Sequence, residues 1–345
     1  MMPFRYTRAG SVAEAVAAGS EPGARYLAGG TNLLDLMKAG AERPSRMVDI
    51  SRLPGLDRIE AADGGMRVGA LVRNSDMAHD EAFGTAYPMV AEALLSGASA
   101  QLRNAATLAG NVLQRTRCYY FYEPATPCNK REPGTGCSAI GGFTRLHAVL
   151  GANEQCIATH PSDMCVPLVA LDAVVEIEGK AGTREVPLEA FHRLPGDHPE
   201  QDTVLAQGEL IVALRLPPGA EAFAANARYL KVRDRTSYAF AVVSAAAALR
   251  LEGGRIAEAR LALGGVAHKP WRARSAEALL AGQEPGREAF GRAADAALAG
   301  AAGEGESAFK PELARRVVVR AFEMAMAGTR PSALPASVFG SAPHA

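Results

Sequence analysis

All five cysteines of this chain lie between positions 118 and 165, at Cys118, Cys128, Cys137, Cys156 and Cys165, and the rest of the 345 residues contain none. An odd count argues against a closed disulfide framework. The stretch 115–160 holds four of the five and is rich in Cys, Pro, Gly, Asn and Arg, with no helical or strand period. A structureless loop of that length inside a compact domain is usually functional or disordered, and the thiols favour function. The first four cysteines are separated by nine, eight and eighteen residues. Structural zinc usually shows close CxxC pairs, which are absent, as is HExxH. Four thiolates spread over one irregular loop are the ligand set of a cubane iron–sulfur cluster. On spacing alone a cluster, a zinc ion and inert buried thiols all stay open. Cys165 sits in PSDMCVPLVALDA, whose apolar period makes it a core thiol rather than a ligand.

The segments on either side are periodic. Residues 25–30 read as a strand ending in a glycine pair, a helical pattern closes at Gly40, and Arg46–Ile50 reads as a strand, which makes a small βαβ unit. Met66–Leu71 is a further strand, with Asn74 or Ser75 as the cap of the next helix, and Pro88–Ser96 is helical. Residues 105–114 read as a tight small-residue loop. After a strand at 208–218 the prolines mark a boundary near 218–225. Strands at 227–264, turned at Glu252-Gly253-Gly254, precede helical patterns at 275–281, 287–300 and 311–327. Strands followed by helices indicate an α+β domain. Lys+Arg and Asp+Glu both number 37, so no basic surface for nucleic acid is expected. The N-terminus shows no apolar signal core, so no signal peptide of its own is expected. No apolar run reaches the ~18 residues of a membrane span.

Two glycine-bearing turns carry the second chemical signal. Gly29-Gly30-Thr31 follows a strand and opens a helix, where free backbone N–H groups and a partial positive charge suit a diphosphate. Thr107-Leu108-Ala109-Gly110-Asn111 is a second such turn, with a hydroxyl and an amide to offer. There is no GxGxxG and no GKS/T, so Rossmann and P-loop readings find no support.

AGGTNLLDLMK (28–38, read from Ala28) and QLRNAATLAGN (101–111) together resemble the FAD-binding subunit of the xanthine dehydrogenase and carbon monoxide dehydrogenase group of molybdenum hydroxylases. HPSDMCVPLVALDA (160–173) is similar to the family's Ser-Asp element, and YLKVRDRTSYAFAVVSAAAAL (229–249) to the opening of its C-terminal domain. The resemblance covers roughly residues 3–328. The cysteine loop from Gln114 onward and ALGGVAHKPWRA (262–273) resemble the flavin and [4Fe–4S] subunit of bacterial periplasmic aldehyde oxidoreductase. Ala109 stands where many members have glycine, and His160 where many have a smaller residue.

The resemblance implies an α+β fold of the vanillyl-alcohol-oxidase type. FAD subdomain I would occupy 1–60, and subdomain II 61–222 with the iron–sulfur loop at 115–160. A C-terminal domain of antiparallel sheet and helices would occupy 223–330, and a loose tail 331–345. It implies FAD with its diphosphate on Leu27, Ala28, Gly29, Gly30, Thr31, Asn32 and Leu33 and on Thr107, Gly110 and Asn111. Asp163 would meet a cofactor hydroxyl and Lys231 would lie near the flavin. Cys118, Cys128, Cys137 and Cys156 would bind a [4Fe–4S] cluster. It further implies a large partner with a molybdenum cofactor, a small partner with two [2Fe–2S] clusters, an external electron acceptor, and export to the periplasm with a signal-bearing partner, or else a cytoplasmic site. A hydroxybenzoyl-CoA-reductase-like or xanthine-dehydrogenase-like flavin subunit is the near alternative. A self-sufficient flavin oxidase and a metal-stabilised scaffold are alternatives of other classes. No acid–base pair or nucleophile stands out as catalytic.

Overall fold

The computed structural model, described for residues 1–329, contains three sheets with helices between and outside them. The expected loose tail at 331–345 lies outside the described residues. The first sheet is parallel, with β1 (Arg5–Arg8), β2 (Ala24–Leu27) and β3 (Arg46–Asp49) in the order β1-β3-β2. Parallel neighbours need crossovers, and the helices Val12–Gly19 and Leu33–Ala39 supply them. Ser11 caps the first, its Oγ accepting from Glu14 N at 3.2 Å. Gly40 ends the second in the left-handed region at φ 76°, where glycine carries no steric penalty.

The second sheet is antiparallel and discontinuous in sequence. β4 (Ile59–Ala62), β5 (Gly65–Gly69), β6 (Val174–Gly179), β7 (Gly182–Pro187) and β8 (Leu210–Leu216) take the order β4-β5-β8-β6-β7. Leu214 of the central strand pairs with Val68 on one side and Val175 on the other. Everything between β5 and β6, including the whole cysteine loop, is therefore an excursion from one sheet.

In the third sheet β9 (Ala227–Val232), β10 (Val243–Glu252), β11 (Arg255–Gly264) and β12 (Trp271–Arg272) run in the order β12-β11-β10-β9. Its alanines split by the period of two. Ala246 and Ala248 face the core of the second sheet, while Ala245, Ala247 and Leu249 face the helices Arg274–Leu280, Arg287–Ala297 and Lys310–Met326. There Phe290 and Phe322 stack at 5.2 Å with both rings fully buried. Truncating either to alanine would cost ~3–5 kcal/mol. The small side chains of β10 let this sheet sit close against both layers.

The α+β architecture agrees with the sequence reading, and the Gly253-Gly254 turn joins β10 to β11 as expected. Three local readings need correction. Residues 105–114 are not merely a loop: Leu108–Val112 is a helical turn capped by Thr107, whose hydroxyl accepts from Gly110 N at 3.3 Å. The cap before Asn74–His79 is Arg73, not Asn74 or Ser75, and no side chain caps that helix. The strands read at 227–264 are interrupted: 233–242 is irregular and contributes Asp234, Arg235, Tyr238, Ala239 and Phe240 to a cleft wall, so β10 starts at Val243.

Candidate functional site

Two adjoining clefts, of about 650 and about 430 Å³, share Thr31, Asn32 and Gly110 in their walls. Their sizes suit a cofactor-scale ligand. Leu27, Ala28, Gly29, Gly30, Thr31, Asn32, Leu33, Thr107 and Gly110 line the smaller one. Asn111, Asp163 and Lys231 line the larger, so the structure brings all twelve of these residues onto one continuous groove.

The glycine pair divides its labour. Gly30 has φ +73°, a conformation that side chains resist. At Gly29 the constraint is space: a Cβ there would lie 1.9 Å from the carbonyl oxygen of Ala105. The two small-residue turns thus touch, and they can do so only because one carries no side chain. Asn32 stands at the cap position of the following helix but its side chain does not cap it. Its Oδ1 instead accepts from Arg117 Nη2 at 3.0 Å. Ala109 is helical rather than left-handed, so alanine meets no backbone strain there.

Asn111 is less free than its sequence suggests. Its Oδ1 accepts from Ser162 Oγ at 2.7 Å and from Gln114 Nε2 at 2.5 Å, and its amide meets only the Met164 sulfur at 3.7 Å. It ties the second turn to the Ser-Asp element. Asp163 is buried, accepting from Tyr229 Oη at 2.6 Å and Lys231 Nζ at 2.7 Å. Burial pushes its carboxyl up, and the Lys231 charge and the Tyr229 hydroxyl oppose that rise. Lys231, with a side chain 4% exposed, is not a solvated strand charge. It also reaches the carbonyl of Ser96 at 3.2 Å.

The four nominated cysteines also converge, and none forms a disulfide. Burial raises the Cys118 thiol to about 12, with Cys128 and Cys156 close enough to add to the rise. Cys156 is raised to about 11 by burial, with further contributions from Cys137 and Cys128 and an opposing one from Lys130. Cys128 and Cys137 face each other across an antiparallel bridge. Asn129 fastens that turn to the last cysteine: it accepts from Gly136 N at 2.7 Å and donates to Gln155 O at 3.1 Å. Cys156 Sγ accepts from Ala158 N at 3.5 Å. Buried thiols held this high are neutral without a cation, and bound iron would convert them to thiolates. The donor set therefore fits a cluster of four thiolate ligands.

Cys165 stands apart from this group. It is fully buried beside His160 and His192, the three offering ligand atoms within 4.8 Å of one another. His160 packs its ring against His192, with centroids 4.4 Å apart, and lines one small cavity together with Cys118.

The sequence reading missed the residues that hold the loop in place. Arg115 pairs with Glu42 and, at 2.7 Å, with Asp202. Lys130, whose side chain is 1% exposed, bonds Asp202 and donates to Pro199 O at 2.7 Å. Burial alone would push Asp202 up, but Lys130 and Arg115 together hold it well below the usual carboxylate range. Arg131 donates to the carbonyls of Tyr120 at 2.7 Å, Phe121 at 2.9 Å and Thr126. Arg117 joins the two regions, reaching Asn32 on the glycine side and Tyr122 Oη at 2.6 Å on the cysteine side. The only signal available in the sequence was the density of basic residues around the cysteines, which periodicity does not register.

Residues 2–219 match the FAD binding domain in molybdopterin dehydrogenase, and residues 228–325 the CO dehydrogenase flavoprotein C-terminal domain. The chain is 51% identical to the aldehyde oxidoreductase FAD-binding subunit PaoB of Escherichia coli, over 92% of this chain and 96% of that protein. It is 27% identical to the carbon monoxide dehydrogenase medium chain of Hydrogenophaga pseudoflava, over 94% and 97%. The solved carbon monoxide dehydrogenase from H. pseudoflava superposes with a TM-score of 0.74 at 29% identity, covering 95% of this chain and 99% of that one. Quinoline 2-oxidoreductase from Pseudomonas putida 86 gives 0.72 at 25% identity, over 94% and 98%. With its two cofactor-scale clefts and both of its domain types matched, the chain belongs to the FAD-binding medium subunits of the molybdenum hydroxylase family.

Proposed function

We propose that this chain is the FAD- and [4Fe–4S]-carrying electron-transfer subunit of a heterotrimeric molybdenum aldehyde oxidoreductase. Electrons would arrive from [2Fe–2S] clusters on a small partner, after substrate oxidation on a large molybdenum-bearing partner, and leave through FAD to an external acceptor. The aldehyde assignment draws on the identity to the Escherichia coli subunit. The cluster assignment is carried by one observation: Cys128 faces Cys137 across an antiparallel bridge and shares a packed cluster with Cys118, and Cys156 lies near enough to influence these thiols.

FAD supplies redox chemistry that no side chain has, and the protein positions it. Gly29 and Gly30 open the backbone to the diphosphate, Thr107 orients the second turn, and Asp163, held by Tyr229 and Lys231, presents its carboxylate to a cofactor hydroxyl. Lys231 places positive charge at the flavin end. The FAD-binding part would comprise 1–60 and 61–222, and the C-terminal domain 223–330. Location in the periplasm by export with a partner is part of the same proposal. Among the described residues no helix is long and apolar enough to cross a membrane.

The test is a pair of substitutions in the assembled enzyme. Cys128→Ser should lose the cluster iron and keep FAD, while Cys165→Ser should keep both. Unchanged iron in Cys128→Ser, measured against molybdenum and flavin content, would overturn the ligand assignment. Turnover of aldehyde by the isolated chain would instead favour a self-sufficient oxidase.

A further inference from the structure

We propose that His147 sets the electron affinity of the iron–sulfur cluster by donating its Nε2–H to the sulfur of Cys118. The inference rests on the cluster reading above and adds to it a tuning residue. His147 Nε2 lies 3.2 Å from Cys118 Sγ, and the residue is 2% exposed. Sulfur bound to iron has no hydrogen to give and can only accept, so in the loaded site Nε2 carries the hydrogen. Nδ1 is buried with no partner of good hydrogen-bond geometry among the described residues, the nearby Thr144 carbonyl being its one neighbouring acceptor.

The backbone that carries the ring is fixed from several directions. The backbone N–H of His147 donates to Thr144 O at 2.9 Å, and the next residue, Ala148, donates to Ile157 O at 2.8 Å. The His147 carbonyl accepts from Lys310 Nζ at 2.6 Å, and the same ammonium bonds Gly265 O at 2.6 Å. Lys310 is fully buried and opens the long helix of the C-terminal domain. The His147 backbone is thus pinned to the C-terminal layer while its imidazole meets Cys118.

Among the described residues His147 is the one side chain within hydrogen-bond distance of any of the four sulfurs; the Cys156 sulfur is met by the backbone of Ala158. Hydrogen bonds to sulfur are among the determinants of cluster potential. An N–H dipole aimed at sulfur stabilises the more negative, reduced cluster more than the oxidised one, so the bond raises the potential. A bond of ordinary strength shifts the reduction equilibrium by about threefold to tenfold, and tenfold is about 59 mV for one electron.

The experiment is a reductive titration of the assembled holoenzyme, followed by electron paramagnetic resonance, for wild type, His147→Leu and His147→Gln. Iron is counted first, and the FAD and [2Fe–2S] potentials serve as internal references. His147→Leu should lower the potential of this cluster alone. His147→Gln, whose amide N–H reaches the position of Nε2, should restore most of the difference. Equal potentials in all three proteins would overturn the proposal, as would loss of iron from both variants. A wild-type enzyme without the extra cluster iron would overturn the cluster reading itself, before any variant is compared.

Discussion

Around the glycine pair the chain is regular to within a few residues of the turn, with β2 ending at Leu27 and a helix starting at Leu33. Around the cysteines the sole helix between 115 and 160 is the single turn Tyr119–Tyr122. The first region positions its backbone by secondary structure and leaves space by omitting side chains. The second has little secondary structure to lean on, and Arg115, Lys130, Arg131 and Asn129 replace it with bonds to carbonyls and carboxylates. A diphosphate is gripped by main-chain N–H groups, which needs close approach and therefore glycine. The cluster proposed above would be gripped by side chains, so its loop would need only correctly placed Cα positions, which buried charges supply.

The largest effect that could break this contrast comes from Gly29→Val. The new Cβ would strike the Ala105 carbonyl, so the two turns must separate, at a cost of ~1–3 kcal/mol or more. FAD occupancy should fall to near zero while iron is retained in the fraction that folds. Gly30→Val should also block FAD, with the milder steric contact of a Leu34 methyl but a strained φ. Full flavin absorbance in either variant would show that the turns do not grip the cofactor. Next is Lys130→Met, which removes one of the two cations on a buried carboxylate. Breaking such a pair costs ~3–5 kcal/mol; iron should be lost out of proportion to flavin. Equal loss of both, by metal and flavin analysis, would mean that the two regions are one unit.

Acid sharpens the contrast further, because the buried imidazoles lie behind the second region. Burial lowers His192 and His268 from 6.5 to about 4, and lowers His160 as well. Between those values the unfolded chain binds more protons than the folded one, so stability declines as pH falls from 6.5 toward 4, and these groups add no further loss below that. Each unit of separation is worth ~1.4 kcal/mol at most per group. Thermal unfolding midpoints should drop across this window, and His192→Gln should flatten the slope; an unchanged slope would remove His192 from the account. The smallest effect is that of Thr107→Ala, the loss of one cap, at ~0.5–2 kcal/mol. It should weaken FAD binding modestly, by equilibrium titration, and leave iron untouched.

Much of this was legible in the residues. The strand–Gly-Gly–helix order, the hairpin at Gly253-Gly254 and the core position of Cys165 follow from local period and turn chemistry. The resemblance supplied what local rules could not, that the turn at Thr107 and the pair Asp163 and Lys231 belong with Gly29. What stayed hidden depends on long-range pairing. Nothing near Lys130 announces that its ammonium is buried against Asp202, and nothing near Asn32 announces that its amide serves Arg117 rather than a helix. Those contacts exist only once distant segments meet, and single-sequence periodicity carries no information about partners.

The pairing of β5 with β8 also governs when FAD, and the cluster proposed above, can be acquired. Met66 pairs locally with Ala61 on β4, but its partner on β8 is Leu216, and closure over such a span is entropically slow. Until a ribosome has released the chain to that point, neither the groove nor the thiol cage has a floor beneath it. Cofactor delivery must therefore wait until well over half of these residues have been made, and a factor that loaded the proposed cluster would meet a folding domain rather than a short nascent segment.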